Sequence, residues 1–304
     1  MKISIIGTGG IGGYYGIMLA NAGYDVHFLL RSDYEYVRNN GLYLASTVHQ
    51  DIELKKVNAY NNAALLPQSD IVLVALKTLQ NQQLLQKILP HVANEKSIVV
   101  LIQNGLGMEE DLSNLFPDLQ IAGGVALIAC YKTDDGRVVH QDHGNLDIGN
   151  YNVRDIDLLD KLINCLQLAS VPSSRQELDY LRWKKLVWNM SFNGLTVALN
   201  KTTKEILEDE SALHRCSIIM NEVVEGAKAC GVKLPEDFAE QMLSITKNIR
   251  PYAPSMKLDY DFGRPMEIEY LYRRPIEIAR KAGYEMKESE KLYLELCSMQ
   301  IVCK

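Results

Sequence analysis

The first residues of this 304-residue chain constrain its fold more than any other stretch. An apolar run, Ile3–Ile6, leads directly into a glycine-rich turn that ends at Gly12, and a helix-compatible stretch follows. In this order of strand, turn and helix, backbone N–H groups at the helix start face the pyrophosphate of a dinucleotide. The pattern therefore predicts a dinucleotide site, with contacts from Gly7, Thr8, Gly9, Gly10, Ile11 and Gly12.

Length and composition fit a soluble globular protein of two domains, with 47% hydrophobic and 23% charged residues. The net charge of −6 argues against a general affinity for nucleic acid or an anionic membrane. No apolar stretch approaches the roughly 20 residues of a membrane span. The chain has six cysteines, the last of them Cys303, and no two of them are spaced as C-x-x-C. We therefore expect reduced thiols and a cytoplasmic protein.

The end of the second predicted strand, Asp25–Arg31, indicates which dinucleotide binds. An NAD site of this type has Asp or Glu about 20 residues beyond the glycines, bonded to the ribose 2′-hydroxyl. Here that place holds Arg31 and Ser32. A guanidinium suits a 2′-phosphate, so we predict NADPH/NADP+ as the cofactor. The alternative is that Asp33 binds the ribose and that Arg31 is a solvated charge.

Two later segments, Asp70–Leu76 and Ser97–Ile102, are nearly continuous apolar runs of the kind found in buried parallel strands. Lys77 directly follows the first run, and Asn104 lies just beyond the second. Ligands of open parallel sheets bind outside the carboxyl ends of the strands. We therefore predict both side chains at the cofactor site, although each could be an ordinary surface or turn residue.

The end of the first half is predicted to be antiparallel, with a turn at Thr133–Gly136 and three strands, Ile121–Tyr131, Arg137–His140 and Leu146–Ile148. His140 and His143 form an H-x-x-H pair without carboxylate or cysteine neighbours, so we expect no metal site. A helix is predicted at Ile156–Leu168 and a short strand near Val171. The polar run that follows it marks the domain boundary, dividing residues 1–173 from residues 174–304.

The second half is predicted to be helical, and its most informative stretch is Trp183–Asn200. At about 100° per residue, Lys185, Asn189 and Asn193 fall on one stripe about 80° wide, with apolar residues on both sides. A helix that is apolar most of the way round is buried, and buried polar groups need partners. Those partners are other side chains or a polar ligand, unless the stripe is a solvent-facing edge. A partly desolvated lysine could hold a carboxylate, polarise a carbonyl or protonate an alkoxide.

The polar segment Pro254–Ile268 is predicted to be irregular. Within it, Ser255 and Asp259 are one helical turn apart, and Glu267 follows Gly-Arg-Pro in an expected loop. By composition alone, a solvated surface explains this segment equally well.

Taken together, these motifs resemble the ketopantoate reductase (2-dehydropantoate 2-reductase) family over nearly the whole chain. The motifs are Gly7-Thr-Gly9-Gly-Ile-Gly12, Leu-Lys77-Thr, Gln103-Asn104-Gly105-Leu-Gly107, Trp183-Lys-Lys185-Leu with Asn189 and Asn193, Ser255-Met-x-x-Asp259 and Arg264-Pro-x-Glu267-Ile-Glu. The resemblance implies an α/β Rossmann-type domain followed by an all-α domain like the C-terminal domain of 6-phosphogluconate dehydrogenase. It also implies an NADPH-dependent reduction of a 2-oxo acid in the cleft between them. The family's named activity makes (R)-pantoate for pantothenate and coenzyme A.

The resemblance also implies roles for individual residues on the substrate side. Lys185 resembles the catalytic lysine that donates a proton to the reduced carbonyl. Asn189 and Asn193 match substrate-binding asparagines. Ser255 resembles the residue that bonds the substrate carboxylate, and Asp259 lies in the same motif.

On the cofactor side, Arg31 resembles the 2′-phosphate ligand. Lys77 and Asn104 match residues at the cofactor and the catalytic cleft, and Asn104 is also expected to contact the substrate. Glu267 matches an acid that contacts the ligands near the nicotinamide. A monomer or a homodimer is expected.

The chain departs from the family pattern on the substrate side. Pro254-Ser-Met-Lys-Leu-Asp259 stands for the usual S-S-M-L-Q-D, and Met266–Arg273 stands for the usual T-E-I-D-x-L-N-G. Thr202 or Thr203 replaces a further asparagine. A reductase of another 2-oxo acid is therefore one alternative. An NADP(H)-sensing protein without turnover is another, although a sensor has no need of the lysine and amide stripe.

Overall fold

The computed structural model describes residues 1–133, 136–248 and 253–300. Two residues of the predicted turn at Thr133–Gly136, and Cys303, lie outside the described residues. The chain divides into two compact units. The sheet unit comprises Met1–Gln103 and Met108–Leu178, and the helical unit comprises Asn104–Gly107 and the chain from Asp179 onward.

One ten-stranded sheet organises the described residues of the sheet unit. Its strands are β1 (Lys2–Ile6), β2 (Asp25–Leu29), β3 (Leu42–Ser46), β4 (Ile52–Leu54), β5 (Asn58–Tyr60), β6 (Ile71–Val74), β7 (Ile98–Leu101), β8 (Gln120–Lys132), β9 (Val138–Asn150) and β10 (Arg175–Gln176). The strand order is β4-β3-β9-β8-β7-β6-β1-β2-β5, with β10 beside β9. From β8 to β5 every pair is parallel, whereas β8 with β9 and β3 with β4 are antiparallel.

Helices connect these strands. They are α1 (Gly10–Asn21), α2 (Tyr34–Asn40), α3 (Asn81–Val92), α4 (Met108–Leu115) and α5 (Ile156–Leu168), with short 3₁₀ turns at Ala63–Leu65 and Thr78–Gln80. Every residue of β6 and β7 is buried, as expected for central parallel strands that are covered on both faces. The predicted Rossmann-type fold is confirmed.

Two predictions for the end of this unit differ from the structure. The residues from Val138 to Asn150 form the single strand β9, which carries irregular pairing with β8. No strand forms at Val171; instead β10 pairs in parallel with Ile148 and Gly149 of β9. Because β10 adds to the sheet, the sheet unit extends to Leu178, beyond the expected boundary after residue 173.

The helical unit is all-α in its described residues. Its elements are α6 (Leu178–Trp188), the first π-segment (Asn189–Asn193), α7 (Gly194–Ala198), α8 (Thr203–Glu208), α9 (Glu210–Ala229), α10 (Phe238–Asn248), α11 (Ser255–Asp261), the second π-segment (Glu269–Arg273), α12 (Arg274–Lys281) and α13 (Lys287–Met299). A continuous apolar core contains Trp183, Phe192 and Tyr272 among its largest side chains. Among the described residues, no helix is both long and apolar enough to cross a membrane.

The two π-segments correct the regular helical geometry assumed from the sequence. Asn189–Asn193 interrupts the run from α6 to α7 with wider turns that close by i→i+5 hydrogen bonds. A constant rotation of about 100° per residue therefore fails across this stretch. The segment predicted to be irregular, Pro254–Ile268, contains the helix α11.

Candidate active site

The backbone of the glycine loop, Gly7–Gly12, allows close approach by a ligand. Gly7 has φ +96°, and a Cβ there would lie 2.8 Å from the Leu76 nitrogen. At Gly12 a Cβ would lie 2.2 Å from the Gly7 oxygen. At Gly9 it would meet no atom within 4 Å, so the space beside Gly9 is open. The helix α1 begins one residue later with no acidic side chain in its first turn, which fits a pyrophosphate at this position.

At the end of β2 the structure distinguishes the two candidate ribose ligands. Arg31 is exposed. The carboxylate of Asp33 forms an ion pair with Lys132 of β8. The Lys132 ammonium also donates to the Thr8 carbonyl of the glycine loop (2.8 Å). Asp33 is therefore already paired, whereas the guanidinium of Arg31 extends into solvent.

A buried amide pair ties the ends of β6 and β7 together. The side chain of Gln103 donates to the Leu76 carbonyl (2.8 Å) and exchanges hydrogen bonds with Asn81 (2.9 and 3.1 Å). These contacts fix the chain on either side of Lys77, which is itself exposed. Sequence reasoning missed Asn81. The available signal was a polar residue at the start of the predicted helix that follows Lys77.

The loop after β7, Asn104–Gly107, packs with the helical unit. The Leu106 amide donates to the Tyr270 carbonyl (2.9 Å), and the Leu106 side chain joins the apolar core of that unit. Gly105 has φ +115°, and a Cβ there would lie 2.4 Å from the Tyr270 oxygen. This close approach requires glycine and holds the half-buried Asn104 next to it.

Lys185 is half-buried near the end of α6. Burial, with the charge of the nearby Arg182 guanidinium, lowers the pKa of Lys185 to about 7, while the Glu267 carboxylate acts in the opposite direction. Arg182, three residues earlier, is only 2% exposed. A lysine that titrates near neutral pH can deliver its proton readily, so this is the strongest chemical signal in the helical unit.

Asn189 and Asn193 begin and end the first π-segment. Their exposed fractions are 7% and 3%. The structure shows no hydrogen bond from either side-chain amide to another described residue. Neither amide is among the fully buried side-chain atoms of the described residues that lack a partner, so the amide atoms remain accessible and are well suited to bind a polar ligand.

Tyr272 joins the two π-segments. Its ring is fully buried, and its hydroxyl donates to the Met190 carbonyl (2.9 Å). A Cβ at Gly194 would lie 2.5 Å from this hydroxyl oxygen, so the residue after Asn193 must be small. No motif in the sequence indicated Tyr272, because its role depends on contact between segments about 80 residues apart.

The remaining predicted site residues of the helical unit lie in or after α11, which packs against the first π-segment and α7. Ser255 is exposed at the start of this helix. Asp259 is buried; its carboxylate accepts from Arg264 Nε (2.9 Å), and its carbonyl accepts from the Arg264 amide (2.7 Å). Glu267 is half-buried before the second π-segment and interacts electrostatically with Lys185.

Thr202 caps a helix. Its hydroxyl accepts from the Glu205 amide (3.2 Å), and the Glu205 carboxylate accepts from the Thr202 amide (2.7 Å), which forms a capping box at α8. The hydroxyl of Thr202 therefore stabilises the helix start. Thr203 is buried at the first position of the same helix.

His140 and two of the thiols, those of Cys130 and Cys216, have structural surroundings. His140 Nδ1 contacts the Ser46 hydroxyl (2.9 Å), and Nε2 lies 3.1 Å from the carbonyls of Asp142 and His143. In the described residues, no group of three or more His, Cys, Asp or Glu is placed to hold a metal ion. Burial raises the pKa of Cys130 and of Cys216 to about 12.

A Rossmann-type unit followed by a helical unit with the half-buried Lys185 defines a nicotinamide-dependent oxidoreductase that acts on a small molecule. The chain matches the families described as ketopantoate reductase PanE/ApbA, over residues 3–153, and ketopantoate reductase PanE/ApbA C terminal, over residues 177–299. It therefore belongs to the ketopantoate reductase family.

Individual relatives agree with this assignment. The chain is 41% identical over 302 residues to a 2-dehydropantoate 2-reductase of Nostoc sp., covering 97% of this chain and 94% of the relative. The crystal structure of a 2-dehydropantoate 2-reductase from Geobacter metallireducens is 35% identical with a TM-score of 0.93, covering 98% and 99% of the two chains. D-mandelate dehydrogenase, solved with NADH and anilino(oxo)acetate, shares the fold at 21% identity, a TM-score of 0.88 and 98% coverage of both chains.

Proposed function

We propose that the protein reduces 2-dehydropantoate (ketopantoate) to (R)-pantoate with NADPH, within pantothenate and coenzyme A biosynthesis. The observation that carries this proposal is the group of polar residues at the end of α6 and in the first π-segment, Lys185, Asn189 and Asn193, for which the name polar stripe is kept. It combines an ammonium whose pKa is about 7 with two buried amides that hydrogen-bond to no other described residue. The names of the relatives from Nostoc and Geobacter support ketopantoate as the substrate.

Lys185 acts in this proposal as the general acid. When bound, the reduced nicotinamide supplies the hydride for the keto carbon. The ammonium of Lys185 gives its proton to the keto oxygen, which becomes the hydroxyl of the product, and the neutral amine is then reprotonated from solvent. Glu267 favours the protonated form of Lys185 against the effect of burial. The lysine therefore stays partly charged at neutral pH and is still acidic enough to release its proton.

The other polar side chains of the helical unit orient the substrate. Asn189 and Asn193 bond the keto and hydroxyl oxygens, because their amides have both donors and acceptors to offer. The exposed hydroxyl of Ser255 bonds the substrate carboxylate. Asp259 contributes by holding the turn that follows α11 through Arg264, since its carboxylate is already engaged there.

The cofactor contacts are divided by chemistry. The glycine loop holds the pyrophosphate through backbone N–H groups, for which the open space beside Gly9 leaves room. Arg31 binds the 2′-phosphate, because its guanidinium is exposed at the end of β2 while Asp33 is paired. Lys77 and Asn104 contact the cofactor beyond β6 and β7, and Glu267 does so near the nicotinamide.

Two departures from the family pattern are explained by packing in the helical unit. Tyr272, at the position of the usual asparagine, is buried and bonds the Met190 carbonyl. Arg273, at the position of the usual glycine, pairs with Glu269 and Glu277 along one helix face. These side chains are occupied by structural contacts, so the two departures do not argue against ketopantoate as the substrate.

The decisive experiment is NADPH oxidation with a panel of 2-oxo acids. We expect the highest kcat/KM with ketopantoate, and weaker turnover with 2-oxoisovalerate and benzoylformate. A higher kcat/KM for either of these would assign the site to another 2-oxo acid. Absence of oxidation with every acid, combined with tight NADPH binding, would instead indicate a sensing protein.

A further inference from the structure

Lys132 joins two segments that border the ribose end of the proposed NADP(H) site. It is the last residue of β8. Its ammonium donates to the Thr8 carbonyl in the glycine loop (2.8 Å) and forms an ion pair with Asp33 beyond β2. The loop is also tied to β2 directly, because the Thr8 hydroxyl donates to the Leu29 carbonyl (3.1 Å). Lys132 thus lies at the position where this fold distinguishes a ribose 2′-hydroxyl from a 2′-phosphate.

The pair between Lys132 and Asp33 is shielded from solvent. The side chains are 14% and 24% exposed, so this pair is less screened than an ordinary surface ion pair. The neighbouring charges Glu35 and Arg38 bond each other at 2.9 Å and offset one another. The pair between Glu35 and Arg38 therefore adds no net charge beside Arg31, Asp33 and Lys132.

The chemistry of Asp33 explains why this pairing matters. In sites that select NAD, a carboxylate near the end of β2 accepts hydrogen bonds from the ribose hydroxyls and repels a 2′-phosphate. Asp33 lies two residues beyond Arg31 and would have this effect if its charge were not offset. With Lys132 bonded to it, the net charge of the three side chains is positive.

We propose that Lys132 is a specificity-determining residue, which makes the site selective for 2′-phosphorylated cofactors by neutralising Asp33. Lys132 does so from a fixed position, because the Thr8 carbonyl anchors the ammonium on the glycine loop. This inference rests on the proposed NADPH specificity. It adds that Arg31 alone does not produce that specificity.

The test measures binding, so that it does not depend on turnover. The probes are adenosine 2′,5′-bisphosphate and adenosine 5′-monophosphate, which differ only in the 2′-phosphate. Their Kd values are measured by titration calorimetry on the full chain and on Lys132→Met, Lys132→Arg, Asp33→Asn and the double variant Lys132→Met/Asp33→Asn. Lys161→Met, an exposed lysine on α5, is the matched control.

We expect Lys132→Met to weaken the bisphosphate about tenfold without weakening the monophosphate, because the exposed Asp33 charge then repels only the 2′-phosphate. Lys132→Arg should keep the selectivity. The double variant should recover most of the lost affinity, since no carboxylate remains to be neutralised. Asp33→Asn alone should bind the bisphosphate at least as tightly as the unsubstituted protein.

Three results would overturn the inference. Equal weakening of both probes by Lys132→Met would mean that the lysine only maintains the loop. Failure of the double variant to recover would exclude neutralisation of Asp33 as the cause. Unchanged selectivity in Lys132→Met would remove the role of Lys132 while leaving NADP(H) specificity intact, whereas equal binding of both probes by the unsubstituted protein would overturn that specificity as well.

Discussion

The glycine loop and the polar stripe use opposite means to prepare a site for a ligand. In the loop, side chains are absent where backbone must approach backbone, as at Gly7 and Gly12, and open space remains at Gly9. In the stripe, polar side chains are placed in a largely buried helix, and those of Asn189 and Asn193 hydrogen-bond to no other described residue. The loop offers generic N–H donors to a phosphate, whereas the stripe offers particular groups to a reacting carbonyl. We therefore expect the glycine loop to control cofactor binding and the polar stripe to control turnover.

Removal of the Lys185 ammonium should give the largest effect. We expect Lys185→Ala to lower kcat about 10³-fold, within the range for loss of a positioned general acid, and to leave the Kd for NADPH nearly unchanged. Steady-state kinetics measures kcat, and stopped-flow fluorescence measures the Kd for NADPH. Lys184→Ala, at the exposed neighbouring lysine, should behave like the unsubstituted protein. A kcat within threefold of normal for Lys185→Ala would show that the stripe does not supply the proton.

Two glycine variants should separate the requirements within the loop. Gly12→Ala places a Cβ against the Gly7 oxygen, so we expect a loss of roughly 2–4 kcal/mol in unfolding free energy and little remaining cofactor affinity. Gly9→Ala meets no protein atom, so its Tm should stay near normal while the Kd for NADPH rises about 100-fold from contact with the pyrophosphate. Urea denaturation and cofactor titration distinguish them. Equal destabilisation by both variants would contradict the open space at Gly9.

The pH dependence of kcat/KM should reflect the lowered pKa of Lys185, which is about 7. Since reduction requires the protonated lysine, kcat/KM in that direction should fall about tenfold per pH unit above this value, and Lys185→Met should abolish the dependence. The unfolding free energy should change with pH in the direction opposite to kcat/KM. Between pH 7 and about 10 the unfolded lysine binds a proton that the folded lysine does not, so unfolding free energy rises with pH relative to Lys185→Met. A flat rate profile from pH 6 to 9 would argue against Lys185 as the acid.

The amides of the stripe should affect substrate affinity without affecting stability. We expect Asn193→Ala to raise KM for ketopantoate about tenfold and to leave Tm unchanged or slightly higher, because no protein hydrogen bond among the described residues is lost. Asn221→Ala on the exposed side of α9 serves as the control. A large drop in Tm for Asn193→Ala would instead assign a structural role to this amide.

The smallest expected effect comes from Tyr272, which acts through the first π-segment. Tyr272→Phe removes only the hydroxyl that bonds the Met190 carbonyl, so we expect a loss of about 1–2 kcal/mol in unfolding free energy. We also expect kcat to fall severalfold, because Asn189 and Asn193 are held less firmly. Chemical denaturation and kinetics provide the two readouts, with Tyr36→Phe at an exposed tyrosine as the control. A normal kcat in a destabilised Tyr272→Phe would confine its role to folding.

Most of the fold could be predicted from the sequence because local patterns determine it. The apolar runs before Lys77 and Asn104 became β6 and β7, and the predicted helix Ile156–Leu168 was confirmed with those bounds as α5. Predictions failed where a neighbouring strand or helix decides the outcome. The strand expected near Val171 formed instead as β10, since pairing with β9 determines where it starts.

The sequence by itself determined the glycine turn, the absence of an acid at the position of Arg31, and the spacing of Lys185, Asn189 and Asn193. These features follow from residue type and order along the chain, which can be read over a few residues. Only the tertiary structure decided that Lys132 pairs with Asp33, that Tyr272 bonds Met190 between the two π-segments, and that Asn104–Gly107 packs with the helical unit. Each of these contacts joins residues about 80 or more positions apart, and which distant groups meet is set by packing of whole elements rather than by any local pattern.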